Sequence, residues 1–185
     1  KLNKCIQCEK NVEDLKDLYL TYNNLGKTYL NKGQYELAVY NFLEALKLME
    51  IDNNLMGQGF YLNNLAAVYD LQHNYKKALE YYEQSLVIKE EIGDSTGIAA
   101  SYTNLGITYF NLLEYASAID FNQKAYDIYS KLGSQTKVAR TLNNLGECYL
   151  EMNQTEKALS YLQKAFALDS VNEDEYLRIS ITNNL

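Results

Sequence analysis

One asparagine recurs every 40 residues along this chain, and its side chain could bind another chain's backbone. It directly precedes a leucine in "YNNLGKTY", "LNNLAAVY", "YTNLGITY", "LNNLGECY" and the final "TNNL". The five residues are Asn24, Asn64, Asn104, Asn144 and Asn184. A carboxamide offers a hydrogen-bond donor and an acceptor, which match the C=O and N–H of a peptide group whatever side chain the peptide carries. Because each asparagine in a helix interior costs about 0.6 kcal/mol relative to alanine, this asparagine row needs a compensating reason.

Zinc or redox chemistry is the other activity that the residue types suggest, because Cys5 and Cys8 stand together in "CIQC". Zinc needs four ligands, and the remaining candidates, Cys148 and the single His73, lie far away in sequence. Cys5 and Cys8 stand 40 residues before Ala45 and Leu48, so we interpret them as small buried side chains. The odd number of cysteines fits a reduced, cytoplasmic setting better than a disulfide framework.

No constellation of residues indicates an enzyme or a cofactor. Phosphate-binding loops need glycine-rich turns between a strand and a helix, whereas the glycines here are scattered. Nucleophilic and acid–base catalysis need a histidine or a matched carboxylate pair, and His73 falls in a predicted turn. The acidic run 173–175 is interpreted as the start of a last helix. We predict no catalytic residue, no metal and no cofactor.

Charge and hydropathy exclude two further classes of partner. The net charge of −7 argues against direct binding to nucleic acid. No apolar run is long enough to cross a membrane. We therefore expect a protein or peptide partner.

The residues around the asparagine row predict the helices that must hold it. A first helix carries the leucine, then a small residue, then a tyrosine, at the i, i+3, i+4, i+7 spacing of one helical face. A second helix carries small residues around a larger one. With the same 40-residue register these are Leu25, Leu65, Leu105, Leu145; Gly26, Ala66, Gly106, Gly146; Tyr29, Tyr69, Tyr109, Tyr149; Ala38, Ala78, Ala118, Ala158; Phe42, Tyr82, Asn122, Leu162; and Ala45, Ser85, Ala125, Ala165. We expect the small residues to let backbones approach and the tyrosines to fill gaps between neighbouring units.

The register divides the chain into a single array, residues 1–185. Four full repeats span 22–61, 62–101, 102–141 and 142–181, with the second half of a preceding repeat at 1–21 and the start of a fifth at 182–185. Neither end resembles a polar cap, so we expect an excerpt of a larger protein. Gly93 and Gly133 are predicted helix stops, and Ser95 and Ser134 the N-caps that follow them.

The pattern L-G-x-x-Y, then A-x-x-x-F/Y, then A resembles the tetratricopeptide repeat, most clearly in "LGKTY…AVYNFLEA" and "LGITY…AIDFNQKA". The resemblance implies an all-α, right-handed superhelical solenoid of antiparallel helix pairs. The repeats are longer than the usual 34 residues. We place the extra residues in a lengthened second helix. The usual proline at that helix's end is missing. The long form resembles arrays in kinesin light chains, cell-polarity adaptors and bacterial signalling proteins.

The resemblance also implies where a ligand binds, because first helices line the concave groove of such arrays. Stacked first helices stand about 10 Å apart and an extended peptide advances about 3.3 Å per residue, so each asparagine would meet every third ligand residue. The predicted groove residues are Asn24, Asn64, Asn104, Asn144, Lys27, Phe60, Leu71, Ile107, Asn111, Arg140 and Glu147. Phe60, Leu71, Ile107 and Phe110 favour an apolar anchor in the partner, and Glu147 and Glu151 favour a basic residue. The few groove cations argue against the subtype that clamps an acidic carboxyl terminus.

Several alternatives stay open. The asparagine row could instead bond to the next unit's helix and fix the stacking angle. The array could be a scaffold for an extended peptide, a sensor module of a larger signalling protein, or a structure that self-associates through its uncapped ends. The neighbouring residues Asn23, Asn63, Thr103 and Asn143 were given no functional weight, because the sequence is rich in asparagine.

Overall fold

The computed structural model describes residues 12–169 together with Thr182 and Asn184. Eight α-helices occupy the continuous part, and no strand occurs among the described residues, which confirms the all-α prediction. Their bounds are α1 Val12–Asn31, α2 Tyr35–Ile51, α3 Leu55–Leu71, α4 Tyr75–Glu91, α5 Ser95–Asn111, α6 Tyr115–Lys131, α7 Gln135–Glu151 and α8 Thr155–Asp169. The predictions for Cys5, Cys8, the acidic run 173–175 and most of the fifth repeat fall outside the described residues.

The helices group into two compact units, Lys1–Ile92 and Gly93–Leu185. In the first unit α2 packs against α1 and α3, and α3 packs against α4. In the second unit α6 packs against α5 and α7, α7 packs against α8, and α5 also touches α7. Each unit therefore holds two helix pairs, with the asparagine row on the first helix of each pair. None of the described helices combines the length and apolar character needed to cross a bilayer.

Each described turn reverses the chain at one residue with positive φ, and these residues recur every 20 positions. They are Gly33, Asn53, His73, Gly93, Leu113, Gly133 and Asn153. The next residue's N–H then donates to the carbonyl five positions back, as Gln34 does to Tyr29 (2.9 Å). This hydrogen bond satisfies a carbonyl that the helix end would leave open. A left-handed residue costs little for glycine or asparagine and more for Leu113.

The predicted helix boundaries are partly right. Gly93 and Gly133, with φ of 70° and 68°, end their helices as predicted. Ser134 is the N-cap of α7. The prediction for Ser95 is wrong, because Asp94 is the N-cap of α5 and its carboxylate accepts the Gly97 N–H at 2.9 Å. Asp94 directly follows the left-handed residue, which is where the N-cap falls after the other described turns.

The expectation of a lengthened second helix is wrong. Helices α2 to α7 all have 17 residues, whether they come first or second in their pair. The stretch 86–101 contains the end of α4, a turn and the start of α5, so the first helix also takes part of the extra length. Equal lengths let the two helices of a pair bury their apolar faces against each other from end to end.

The core follows the predicted pattern of small and large residues. Leu65, Leu105 and Leu145 are at most 1% exposed. Leu25 is 39% exposed, contrary to its predicted core role, because α1 is the first described helix and its preceding neighbour falls outside the described residues. A Cβ added at Gly26 would lie 2.6 Å from the Phe42 ring, so the glycine permits the close approach. Larger side chains at these positions would push the helices apart.

The conserved-register tyrosines stack inside a helix pair, and the expectation that they fill gaps between units is wrong. Tyr69 stacks on Tyr81 with ring centroids 5.5 Å apart, and Tyr149 stacks on Tyr161 at 5.3 Å. Both partners lie on the second helix of the same pair. The aromatic contacts therefore hold each pair together.

Candidate functional site

In the first unit, the predicted groove residues form an apolar and cationic surface on α1 and α3. The Lys27 Nζ lies 5.9 Å from the centroid of the Phe60 ring. Phe60 is 45% exposed and Leu71 is 52% exposed, which is uncommon for side chains of this size. Asn24 is exposed on α1 and Asn64 is half-buried on α3. The structure thus brings Lys27 and Phe60 into contact and leaves both apolar candidates accessible.

Asn64 has no internal partner for its amide nitrogen. Its Nδ2 is buried and makes no hydrogen bond, whereas the Nδ2 of the equivalent Asn144 donates to Asn122 Oδ1 at 3.1 Å. The difference follows from the residue 22 positions earlier. That residue is Asn122 for Asn144, but Phe42, which offers no acceptor, for Asn64. One member of the asparagine row is therefore bonded within the fold and another is not.

In the second unit, a cavity of about 280 Å³ lies between α5 and α7. Four predicted groove residues line it, namely Ile107, Asn111, Asn144 and Glu147. Its other lining residues are Gly106, Phe110, Asn122 and Cys148. We call this the Asn122 cavity. The sequence register alone had brought these side chains to one helical face, and the structure places them around one space.

A second cavity of about 240 Å³ in the same unit is lined by cations. Arg140 and Lys137 of α7 face it, together with the row member Asn104. The Lys137 Nζ lies 5.1 Å from the centroid of the Tyr129 ring, which also lines the cavity. Burial raises the pKa of the Tyr129 hydroxyl, although a hydrogen bond to Thr103 and the Arg140 charge act in the opposite direction. The two cavities therefore differ in charge, with a carboxylate at one and two cations at the other.

Asn122 is the site residue that the sequence analysis missed. It is 1% exposed and occupies the position that Phe42, Tyr82 and Leu162 fill in the other pairs. Its Nδ2 donates to the Ala118 carbonyl at 2.8 Å, so this amide nitrogen is satisfied in the core. The signal was present, because Asn122 is polar where the register is otherwise large and apolar.

Glu147 is held by two amides that the sequence analysis did not assign to the site. Its Oε1 accepts from Asn143 Nδ2 at 2.9 Å and from Asn184 Nδ2 at 2.7 Å. Asn184 also donates to Asn143 Oδ1 at 3.2 Å. Asn143 is 3% exposed. At this position a row member bonds to the preceding first helix, which is the structural use that the sequence left open.

The neighbouring Cys148 is a buried thiol. Burial, with a smaller contribution from the negative charge of Glu147, raises the thiol's pKa to about 12. The thiol is thus protonated near neutral pH and is a poor nucleophile. Within residues 12–169 no group of three or more His, Cys, Asp or Glu side chains could hold a metal ion.

Comparison with known proteins identifies the family. The family model described as "Tetratricopeptide repeat" matches residues 17–91, 61–131 and 97–170. A comparison with curated protein sequences returned no significant match.

Among solved structures, BtubC (BKLC) from P. vanneervenii has a TM-score of 0.79 and 21% identity, over 90% of this chain and 68% of that one. A Rap protein complexed with competence and sporulation factor has a TM-score of 0.82 and 16% identity, over 92% of this chain and 48% of its own. TPR-like repeats of a putative kinesin light chain from Podosopora anserina give 0.73 and 18%, over 89% and 82%. The chain thus spans about half the length of the Rap protein. Identities this low show a shared fold, while the family match covers most of the sequence, and the chain belongs to the tetratricopeptide repeat family.

Proposed function

We propose that this chain binds an extended segment of a partner protein through the asparagine row. Membership of the family supports a protein–protein interaction module. The finer proposal is that Asn24, Asn64, Asn104 and Asn144 hydrogen-bond to the partner's main chain. The exposed Phe60 and Leu71 would take an apolar side chain of the same segment.

The observation that carries the proposal is the unpaired Nδ2 of Asn64. A buried donor without a partner costs about 1–3 kcal/mol. Alanine at this helical position would avoid that cost and gain about 0.6 kcal/mol in helix propensity. Hydrogen bonding inside the protein therefore does not account for this side chain, whereas a ligand carbonyl does. Because an asparagine amide rotates readily about Cβ–Cγ, an incoming carbonyl can draw the donor outward.

The accessible apolar side chains support the same proposal. Phe60 and Leu71 lie on the same helix as Asn64. A partner that covered the two side chains would bury apolar surface and gain about 25 cal/mol for each Å² removed from water. The backbone amides would then fix the register of the segment, while the apolar side chains would supply much of its affinity.

Replacement of two row members tests the proposal. The protein would first be used to select peptides from a phage-displayed library of random heptapeptides. Because each net hydrogen bond contributes about 0.5–1.5 kcal/mol, the N64A/N104A variant should bind the selected peptides roughly 5- to 150-fold more weakly. The matched control is Q84A/Q163A, which removes two exposed carboxamides from second helices. It should bind as the unaltered protein does.

Stability separates binding from a structural role. Thermal unfolding of N64A/N104A is to be measured beside its affinity. Lower stability with undiminished affinity would show that the asparagines hold helices together, and the proposal would be wrong. Failure of the library to yield any peptide above the background of an unrelated protein would also overturn it.

A further inference from the structure

We infer that the Asn122 cavity is a subsite for one lysine or arginine side chain of the bound segment. The inference rests on the proposed function and adds the chemistry of one anchoring residue. Its basis is the cavity between α5 and α7, with a buried amide and a carboxylate among its lining residues.

The cavity exists because asparagine replaces a larger side chain at position 122. In the first described pair the Phe42 ring covers Gly26, and in the last pair Leu162 covers Gly146 with its Cδ2 2.6 Å from an added Cβ. Asn122 covers Gly106 in the same way but has less volume than phenylalanine or leucine. The space it leaves is continuous with the surface that carries the asparagine row, since Asn144 lines it.

The polar groups at the cavity mainly offer acceptors. The amide nitrogens of Asn122 and Asn144 already donate to protein oxygens. A carbonyl oxygen has two lone pairs, so Asn122 Oδ1 keeps one after accepting from Asn144. The carboxylate of Glu147 adds further acceptor positions. A ligand group that donates several hydrogen bonds fits this set, and ammonium and guanidinium groups are such donors.

The charge of Glu147 points in the same direction. Asn143 and Asn184 hold its carboxylate by hydrogen bonds but do not neutralise it. The two ion pairs observed in the described part of the chain join Lys47 to Glu44 and Lys124 to Asp120. A partner's cation would therefore supply the charge that Glu147 lacks. An acidic side chain would be repelled.

The apolar walls favour a long aliphatic stem below the cation. Ile107, which is 40% exposed, and Phe110 line the cavity beside the polar groups. Lysine and arginine lay their methylene stems along apolar surface while the charged head reaches polar groups. The Phe110 ring adds a face that attracts a cation. A purely apolar side chain would contact the walls but would leave the acceptors without donors.

Peptide pools of fixed central residue test the inference. Five heptapeptide pools, random except for a central Lys, Arg, norleucine, Gln or Glu, are titrated against the full chain by fluorescence anisotropy. The Lys and Arg pools should bind at least about tenfold more tightly than the norleucine pool, the factor that a charge-assisted hydrogen bond supplies. In E147Q, which keeps the shape of the side chain, that ratio should fall to about one.

Two further variants locate the effect. N122L restores the leucine that the last pair carries at this position and should also abolish the preference for Lys and Arg, with folding checked by circular dichroism. E151Q removes an exposed acid one turn further along α7, and should keep the preference. If E147Q retains the preference, or if all pools bind the unaltered protein equally, the inference is wrong and the proposed function stands. If no pool binds, the proposed function and the inference both fail.

Discussion

Replacing Asn64 and Asn144 by alanine should change stability in opposite directions. The two residues occupy the same position on α3 and α7, and both are half-buried. They differ in hydrogen bonding, because the Asn144 Nδ2 donates to Asn122 and the Asn64 Nδ2 has no partner. N64A and N144A thus form a matched pair in which helix propensity and loss of side-chain volume largely cancel.

The expected magnitudes follow from these contacts. N64A relieves an unpaired buried donor, worth about 1–3 kcal/mol, and gains about 0.6 kcal/mol of helix propensity, against some lost packing. A net gain of about 1 kcal/mol is reasonable. N144A gains the same propensity but leaves Asn122 Oδ1, on a side chain only 1% exposed, without its donor. The penalty for that acceptor is about 1–3 kcal/mol, so the net result is a loss of about 1 kcal/mol.

Differential scanning calorimetry measures this difference directly. Two kcal/mol between the variants corresponds to about 4–8 °C in Tm for a chain of this size. N24A provides the exposed reference, since Asn24 is on the surface and its replacement should add only the propensity gain of about 0.6 kcal/mol. Equal destabilisation in N64A and N144A would show that Asn64 has a structural partner, and the reasoning that assigns it to ligand binding would fail.

Three further predictions concern a turn, a thiol and a buried hydroxyl. Leu113 is 69% exposed with a φ of 64°, so L113N should stabilise the protein by about 0.5–1 kcal/mol in urea unfolding by relieving left-handed strain. Burial raises the pKa of Cys148 to about 12, so stability should fall as pH rises above the unfolded value of about 8.5, by about 1.4 kcal/mol near pH 9.5, and C148A should lack this component. Ser85 donates to the Gly59 carbonyl at 2.7 Å, and S85A should cost less than about 1 kcal/mol because that carbonyl lies in a helix.

Each of these predictions has its own control. L132N makes the same exchange at an exposed leucine with ordinary helical φ, so an equal gain there would contradict the strain argument. The pH argument compares unfolding free energies at pH 8 and pH 9.5, and an identical fall in C148A would assign the effect to other groups. For Ser85 the reciprocal change is A125S at the equivalent position, and a smaller cost for A125S than for S85A would be the wrong order.

Part of the candidate site could be predicted because helical spacing is a local property. Ile107, Asn111, Asn144 and Glu147 share one side of their helices by position alone, and all four line one cavity. Asn122 could not be placed there from spacing, because it lies on the second helix of the preceding pair. Its position depends on how that helix packs against Gly106.

The sequence by itself determined the helix pairs, their 40-residue register and the small residues that let them approach, because these depend on which side chains share a helical face. The tertiary structure decided what each asparagine does. Asn64 and Asn144 are identical in type, in repeat position and in the leucine that follows them. Only the residue brought near from another helix, Phe42 or Asn122, separates an amide without an internal partner from one that is bonded. Hydrogen bonding depends on the distance between atoms from different helices, and that distance follows from packing.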